Sequence, residues 1–278
     1  MKADLHIHTV FSDGLYTIPE ICDLAAEMGL AGLAFTDHDS IDSLIYYNPQ
    51  ELEKRYGMNF LPGVEIGTHW KGQDIHILGY NIGYNIGWFR DFLSSAQEER
   101  QKRSEKIVHL LNQQGYELND DDVENLAKIP SVGRPHIAEI LIEKGYFSRM
   151  DQVFDILLNP GKPCYVPRKT FTPFEAIEAI LNSGGIPVLA HPGLLKDLSI
   201  MDDLIKHNLK GIEVYHPVHP KKTVYSLLKY TVSKDLLATG GSDFHGHGND
   251  ELGKCAVAMD VVHKIKNTKI NLRESCKT

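Results

Sequence analysis

The sequence predicts an α/β fold: a distorted (β/α)7 barrel carrying a small helical insertion domain. Three observations predict it. Short apolar runs alternate with amphipathic helical patterns over most of the 278 residues, the pattern of parallel strands joined by crossover helices. Several of those helices have legible starts and stops. The alternation lapses between residues 88 and 160, where helical patterns succeed one another with no convincing strand between them.

In chain order, the first strand is 3–8 (ADLHIH). The helix TIPEICDLAAEMG follows, with Thr17 as N-cap, Glu20 completing a capping box and Gly29 as the stop. Strands 31–36 (AGLAFT), 59–64 (NFLPGV) and 74–79 (DIHILG) come next. WFRDFLSSAQEERQKRSEKIVHLLNQQG is a long helix with a heavily charged middle, followed by helical patterns at 120–127, 135–144 and 150–158. The expected division is a barrel from 1–100 and 165–278 and a helical insertion over 101–164; the alternative places these helices in the outer ring of the barrel. TPFEAIEAILNSGG repeats the capping device with Thr172, Glu175 and a stop at Gly184, and Pro173 opens the helix. Strands 186–190 (IPVLA), 210–215 (KGIEVY) and 236–240 (LLATG) bring the count to seven, which suggests a closed or distorted barrel rather than a sandwich.

A hydrophobic fraction of 42% and a charged fraction of 24% are ordinary for a globular chain. No apolar run approaches the roughly 20 residues of a membrane span. The N-terminus reads as a strand, without the basic and apolar regions of a signal peptide, so a cytoplasmic location is expected. Cys22, Cys164, Cys255 and Cys276 are scattered and form no C-x-x-C pair, which implies reduced thiols. A formal charge of −8 argues against a face that tracks long duplex nucleic acid. It leaves room for a small phosphorylated substrate at a site where bound metals reverse the local field. Oligomeric state is not legible.

The 14 histidines are the compositional oddity, and many of them sit with acids at predicted strand ends. His6 and His8 close the first strand, and Asp13 lies in the loop after it. Asp37, His38 and Asp39 follow the second, Glu65 follows the third, and His76 lies in the fourth. His191 ends the next, and Asp243 and His245 come after the last. In a parallel barrel the strand C-termini share one mouth, so residues far apart in sequence can converge there. Side chains two apart on a strand share a face, so His6 and His8 can grip one ion from one side. Imidazole and carboxylate without thiolate suit Mn, Fe or Zn. Six histidines, one glutamate and two aspartates are too many for one ion and fit two or three divalent metal ions. His69, His109, His207 and His263 fall outside the pattern and are expected to be dispensable.

The motifs DLHIHTVFSDG, AFTDHD, GVEI, IHILGY, LAHPG and GSDFHG resemble those of the polymerase and histidinol phosphatase (PHP) domain. The resemblance covers nearly the whole chain. It implies a metal-dependent phosphoesterase on a distorted seven-stranded PHP barrel. It also implies a grouping of ligands: His6, His8, Glu65 and Asp243 on one ion, Glu65, His76 and His191 on a second, and Asp13, His38 and His245 on a third.

The expected reaction is hydrolysis by metal-activated hydroxide, without a nucleotide cofactor. Asp13, His38 and His191 are the expected catalytic side chains, with His216 or a metal-bound water as general acid. Asp37 and Asp39 either orient the ligating imidazoles or cap turns. SVGRPHIAEILIEKG places Arg134 and His136 at a helix N-terminus, and YVPRK supplies Arg168 and Lys169; these four are the candidate phosphate-binding residues. Tyr165, Tyr215 and Phe171 either stack a base or pack. Within the resembling family the arrangement is similar to nucleoside 3′,5′-bisphosphate phosphatases, some relatives of which trim short nucleic acids from the 5′ end. The alternatives are a histidinol-phosphate phosphatase, a nuclease or proofreading module, and a metal-stabilised binding protein without turnover.

Overall fold

The computed structural model describes residues 1–168, 171–248 and 250–268. The chain opens with β1 (Lys2–Ile7), α1 (Ile18–Glu27), β2 (Gly32–Phe35), α2 (Asp42–Tyr46), α3 (Pro49–Tyr56), β3 (Asn59–Phe60), β4 (Gly63–Trp70) and β5 (Gln73–Tyr80). Four helices follow without a strand: α4 (Gly87–Gln113), α5 (Asp120–Ala127), α6 (Arg134–Glu143) and α7 (Met150–Val153), the last running into a π-helical turn at Phe154–Leu158. The alternation then resumes with α8 (Pro173–Asn182), β6 (Ile186–Leu189), α9 (Ile200–Lys206), β7 (Gly211–Tyr215), α10 (Lys221–Ser233), β8 (Leu237–Gly240), β9 (Val257–Ala258) and α11 (Met259–Asn267). The helix ends expected from the capping patterns are present. Glu20 accepts from the Thr17 N–H and Glu175 from the Thr172 N–H, while Gly29 and Gly184 stop their helices at positive φ.

Two sheets form, in the orders β3-β2-β1-β9 and β4-β5-β6-β7-β8. Two single bridges join them into a ring: Ile7 pairs with Phe244 just past β8, and His38 pairs with Glu65 of β4. The ring is β1, β2, β4, β5, β6, β7 and β8, with β3 and β9 as short outliers. Each seam falls among the singled-out residues. Ile7 lies between His6 and His8, Phe244 lies between Asp243 and His245, and the second bridge joins two of them directly.

Two expectations about the strands need correction. The run 59–64 is not one strand: pairing breaks between Phe60 and Gly63, where Pro62 has no N–H to give. Nor are all the strands parallel. β4 and β5 form a hairpin through Lys71 and Gly72, both at positive φ as a tight two-residue turn requires, and β5 also runs antiparallel to β6. His76 therefore reaches the mouth from the middle of a reversed strand, paired with Gly67.

One apolar cluster fills the space under β4–β7, including Ile66, Ile77, Leu189, Ile212 and Phe89. A separate cluster unites Ile107, Leu111, Leu126, Ile137, Leu141 and Leu158 among α4, α5, α6 and the π-helical turn. Helix α4 spans both, with its N-terminal half on the first and its C-terminal half on the second. Cys22 and Cys164 are buried free thiols, and Cys276 lies outside the described residues.

Candidate metal centre

At the mouth, the Glu65 carboxylate lies at the centre of the histidine array. Its Oε2 is 3.3 Å from His6 Nε2, 3.2 Å from His8 Nε2 and 2.9 Å from His38 Nδ1. Its Oε1 is 2.8 Å from His76 Nδ1 and 3.0 Å from His191 Nε2. Asp243 Oδ1 faces the same His6 and His8 nitrogens at 3.3 and 3.1 Å. Asp13 lies among His245 Nε2 (3.4 Å), His8 Nδ1 (3.7 Å) and His38 Nε2 (3.9 Å). All nine residues singled out in the sequence meet in this one region. The donor atoms of His6, His8, Glu65 and Asp243 lie close enough together to share an ion, as do those of His8, Asp13, His38 and His245, and those of His38, Glu65 and His76.

The chemistry of the donors fits divalent cations. Asp13, Glu65, Asp243 and the neighbouring Glu213 are paired only with imidazoles among the described residues, without a lysine or arginine. Several buried atoms here make no hydrogen bond to any described residue: His6 Nε2, His8 Nε2, His38 Nδ1, His191 Nδ1, Asp13 Oδ1 and Glu65 Oε2. Buried polar groups are costly unless paired or ligating, so such a convergence of unsatisfied donor atoms points to ligation. Burial alone would favour neutral acids. The surrounding imidazoles outweigh it, holding Glu65, Asp13 and Asp243 well below the usual carboxylate range. Burial works against charge on His245 too, yet Asp13 pushes it up to about 10.

Neighbouring groups aim the rings. His6 Nδ1–H donates to Glu213 at 2.9 Å and His245 Nδ1–H to the Asp243 carbonyl at 2.8 Å, which turns each Nε2 toward the carboxylates. Asp37 and Asp39 do not orient imidazoles. Asp37 takes the Thr9 N–H and the Thr9 and Ser12 hydroxyls, fixing the loop that carries Asp13. Asp39 takes the Gly67 N–H at 2.8 Å and Arg100 Nε at 2.5 Å. His216, expected as a general acid, lies against a ligand candidate: its Nε2 is 3.2 Å from Asp243 Oδ2, and the Val218 N–H donates to its Nδ1.

Beside the metal ligands lies a cluster of guanidinium groups. Arg100, Arg103 and Arg168 are buried, and Arg134 is half-buried against the Phe154 and Tyr165 rings. Their acid partners are Asp39, which is 3.6 Å from Arg168 as well as bound to Arg100, and Asp74, 3.7 Å from Arg134. Among the described residues, four cations thus face two anions. Burial and the charges of Arg134 and Arg168 pull the Arg103 guanidinium down to about 9. Arg100 Nη2, Arg103 Nη2 and the Nε and Nη1 of Arg168 have no hydrogen-bond partner among the described residues. Clustered guanidinium donors of this kind suit an anion with several acceptor oxygens. Two strands set its position. On β4, Glu65 and Gly67 share a face, and Arg168 packs so close to Gly67 that a Cβ there would fall 1.3 Å from Nη1. On β5, Asp74 and His76 are related in the same way, so the guanidinium pocket lies one two-residue step, roughly 7 Å, from the metal ligands.

Of the phosphate-binding candidates, Arg134 and Arg168 are in this pocket and Lys169 lies outside the described residues. His136 lies outside the pocket, accepting the Gly133 N–H at Nδ1 and donating from Nε2 to the Ser12 carbonyl, 3.0 Å away. It pins α6 to the loop of Asp13, while Ser131 and Gln97 donate to the carbonyls of His38 and Asp39. Tyr165 faces Arg103 and Arg134, Phe171 stacks on Phe92 at 3.9 Å, and Tyr215 is partly exposed. Of the histidines expected to be dispensable, His69 bonds Asp74 at 2.9 Å on the rim of the pocket, while His109 and His207 lie elsewhere. The sequence pattern alone did not single out Arg100, Arg103 or Glu213. The available signal was charge where a helix or strand pattern calls for apolar residues.

Known proteins resemble this chain in sequence and in fold. The PHP domain profile matches residues 4–150. The chain is 36% identical over 248 residues to the 5′-3′ exoribonuclease Rnm of Salmonella typhimurium, covering 87% of this chain and 84% of that one. It is 32% identical over 260 residues to the 3′,5′-nucleoside bisphosphate phosphatase of Chromobacterium violaceum, covering 90% of each. A crystal structure assigned to a metal-dependent phosphoesterase from Bifidobacterium adolescentis superposes with a TM-score of 0.87 at 30% identity, covering 95% of this chain and 94% of that one. The chain belongs to the PHP domain family and is a metal-dependent phosphoesterase, a hydrolase of phosphoric esters.

Proposed function

We propose that the protein removes the 3′-phosphate of nucleoside 3′,5′-bisphosphates and, at the same site, hydrolyses short 5′-phosphorylated oligonucleotides. The observation that carries this reading is the guanidinium pocket one strand step from the metal ligands, matching a substrate with two phosphates on one ribose. His6, His8, Glu65 and Asp243 would hold one ion, Glu65, His76 and His191 a second, and Asp13, His38 and His245 a third, each of them Mn, Fe or Zn. When bound, such ions supply Lewis acidity to the phosphoryl oxygens and lower the pKa of water toward neutrality. The protein's own residues do the rest. Arg100, Arg103, Arg134 and Arg168 hold the 5′-phosphate and so fix which ester lies over the ligands. Asp37 and His136 keep the Asp13 loop in place, and His216 orients Asp243.

In this reading residues 1–100 and 165–278 form the barrel, and 101–164 form an insertion that walls the pocket. The separate apolar cluster around Ile137 and Leu141 supports that division. The enclosed guanidinium groups favour a small substrate or a strand end over a long duplex. Histidinol phosphate fits poorly, because its ammonium would meet four arginines. No helix among the described residues is long and apolar enough to cross a membrane, and a cytoplasmic enzyme is the reading we adopt.

The test is metal analysis of purified protein followed by a phosphate-release screen. Adenosine 3′,5′-bisphosphate should be hydrolysed, and a dinucleotide with a 5′-phosphate should be cleaved faster than its 5′-hydroxyl counterpart. Preference for histidinol phosphate, or indifference to the 5′-phosphate, would overturn the assignment.

A further inference from the structure

Glu213 lies on β7, fully buried, in a strand that is otherwise apolar up to Tyr215. It belongs to none of the three ligand groups proposed above, yet both of its carboxylate oxygens are committed to them. Oε1 accepts the Nδ1–H of His6 at 2.9 Å, and Oε2 accepts the backbone N–H of His191 at 2.7 Å. His6 and His191 come from β1 and from the turn after β6, so one side chain ties together ligands proposed for two different ions.

The two contacts do different work. At His6, the hydrogen bond fixes the proton on Nδ1 and leaves the Nε2 lone pair toward Glu65 and Asp243, each 3.3 Å away. At His191, the backbone has φ 25° and ψ 58°, a conformation that residues other than glycine rarely adopt. The Oε2 acceptor holds the N–H of that strained residue in place, and the ring then reaches Glu65 Oε1 at 3.0 Å.

We propose that Glu213 is a positioning residue that couples the two ions across Glu65, by setting the tautomer of His6 and the backbone of His191 together. The inference rests on the metal-centre reading above. A carboxamide has nearly the same shape but one acceptor oxygen, so Glu213→Gln keeps one contact and turns an N–H donor against the other.

Manganese titration of the full-length wild type and of Glu213→Gln tests this. The variant should bind manganese roughly 10- to 100-fold more weakly at the sites that include His6 and His191. Binding at the site of Asp13, His38 and His245 should change little, and excess manganese should restore turnover. A wild type that binds no divalent ion removes the metal-centre reading itself. A wild type that binds manganese, with a variant of equal affinity and stoichiometry, overturns the coupling alone. Should Glu213→Gln fail to fold, nitrogen NMR of zinc-loaded wild type with labelled histidine probes the same contact. His6 must then show a protonated Nδ1 and a coordinated Nε2; coordination through Nδ1 overturns the proposal.

Discussion

Gly67→Ala separates the guanidinium pocket from the metal ligands more cleanly than any change to a charged residue. The added Cβ would stand 1.3 Å from Arg168 Nη1 and 2.4 Å from Cζ, so the guanidinium has to leave. Its displacement also breaks the approach to Asp39 at 3.6 Å. Glu65, two residues away on the same strand, keeps its imidazole neighbours because it needs no atom of Arg168. A hydrogen bond to a charged group contributes about 1.5–3 kcal/mol. At about 1.4 kcal/mol per tenfold, losing one Arg168–phosphate bond should raise KM for adenosine 3′,5′-bisphosphate roughly 10- to 100-fold. Turnover of p-nitrophenyl phosphate, which has no second phosphate, should change by less than about threefold. The assay is steady-state kinetics on both substrates, with melting temperature and metal content measured alongside. An unchanged KM for the bisphosphate would refute the placement of the 5′-phosphate against Arg168, and equal losses on both substrates would show that the pocket serves the metal ligands instead.

Arg134→Ala should likewise weaken the bisphosphate far more than the aryl phosphate, and parallel losses in kcat/KM would argue against a 5′-phosphate contact. Asp13→Ala should abolish hydrolysis with the fold retained by circular dichroism; full turnover would remove Asp13, and the ion proposed for it, from the mechanism. Chelation should lower Tm, because ions that bind only the folded state stabilise it by about 2.7 kcal/mol at a hundred times Kd. At about 2–4 °C per kcal/mol that is a loss of roughly 5 °C or more for one ion. A Tm indifferent to chelator and to added manganese would count against a centre that holds the two barrel seams.

Much of the site was legible in the sequence because strand geometry is local. In DLHIH the period of two puts His6 and His8 on one side, and both meet Glu65 Oε2 within 3.3 Å. The helix ends at Thr17 and Thr172 were legible for the same reason, since a capping box spans four residues. The reversal of β5 was not. A strand's apolar pattern is the same in either direction, and a turn made by Lys71 and Gly72 carries little warning. Arg100 and Arg103 also escaped. On α4 they lie on the same buried face as Leu93, Ala96, Ile107 and Leu111, but in the sequence they read as part of a solvated charge run. His136 and His216 were legible by residue type and position, and only the fold shows their backbone and carboxylate partners.

By itself the sequence determined the donor chemistry, the strands that carry it and the alternation that closes a barrel, because each follows from side-chain type and from periods of two to four residues. Tertiary structure alone decided what those donors face. Glu65 became the shared centre because one bridge closes the ring between β2 and β4, and Glu213 reached His6 from 207 residues away. The four arginines lie together because buried Arg100, Arg103 and Arg168 and half-buried Arg134 converge beside Asp39 and Asp74. These are contacts between distant segments, and no local period encodes them.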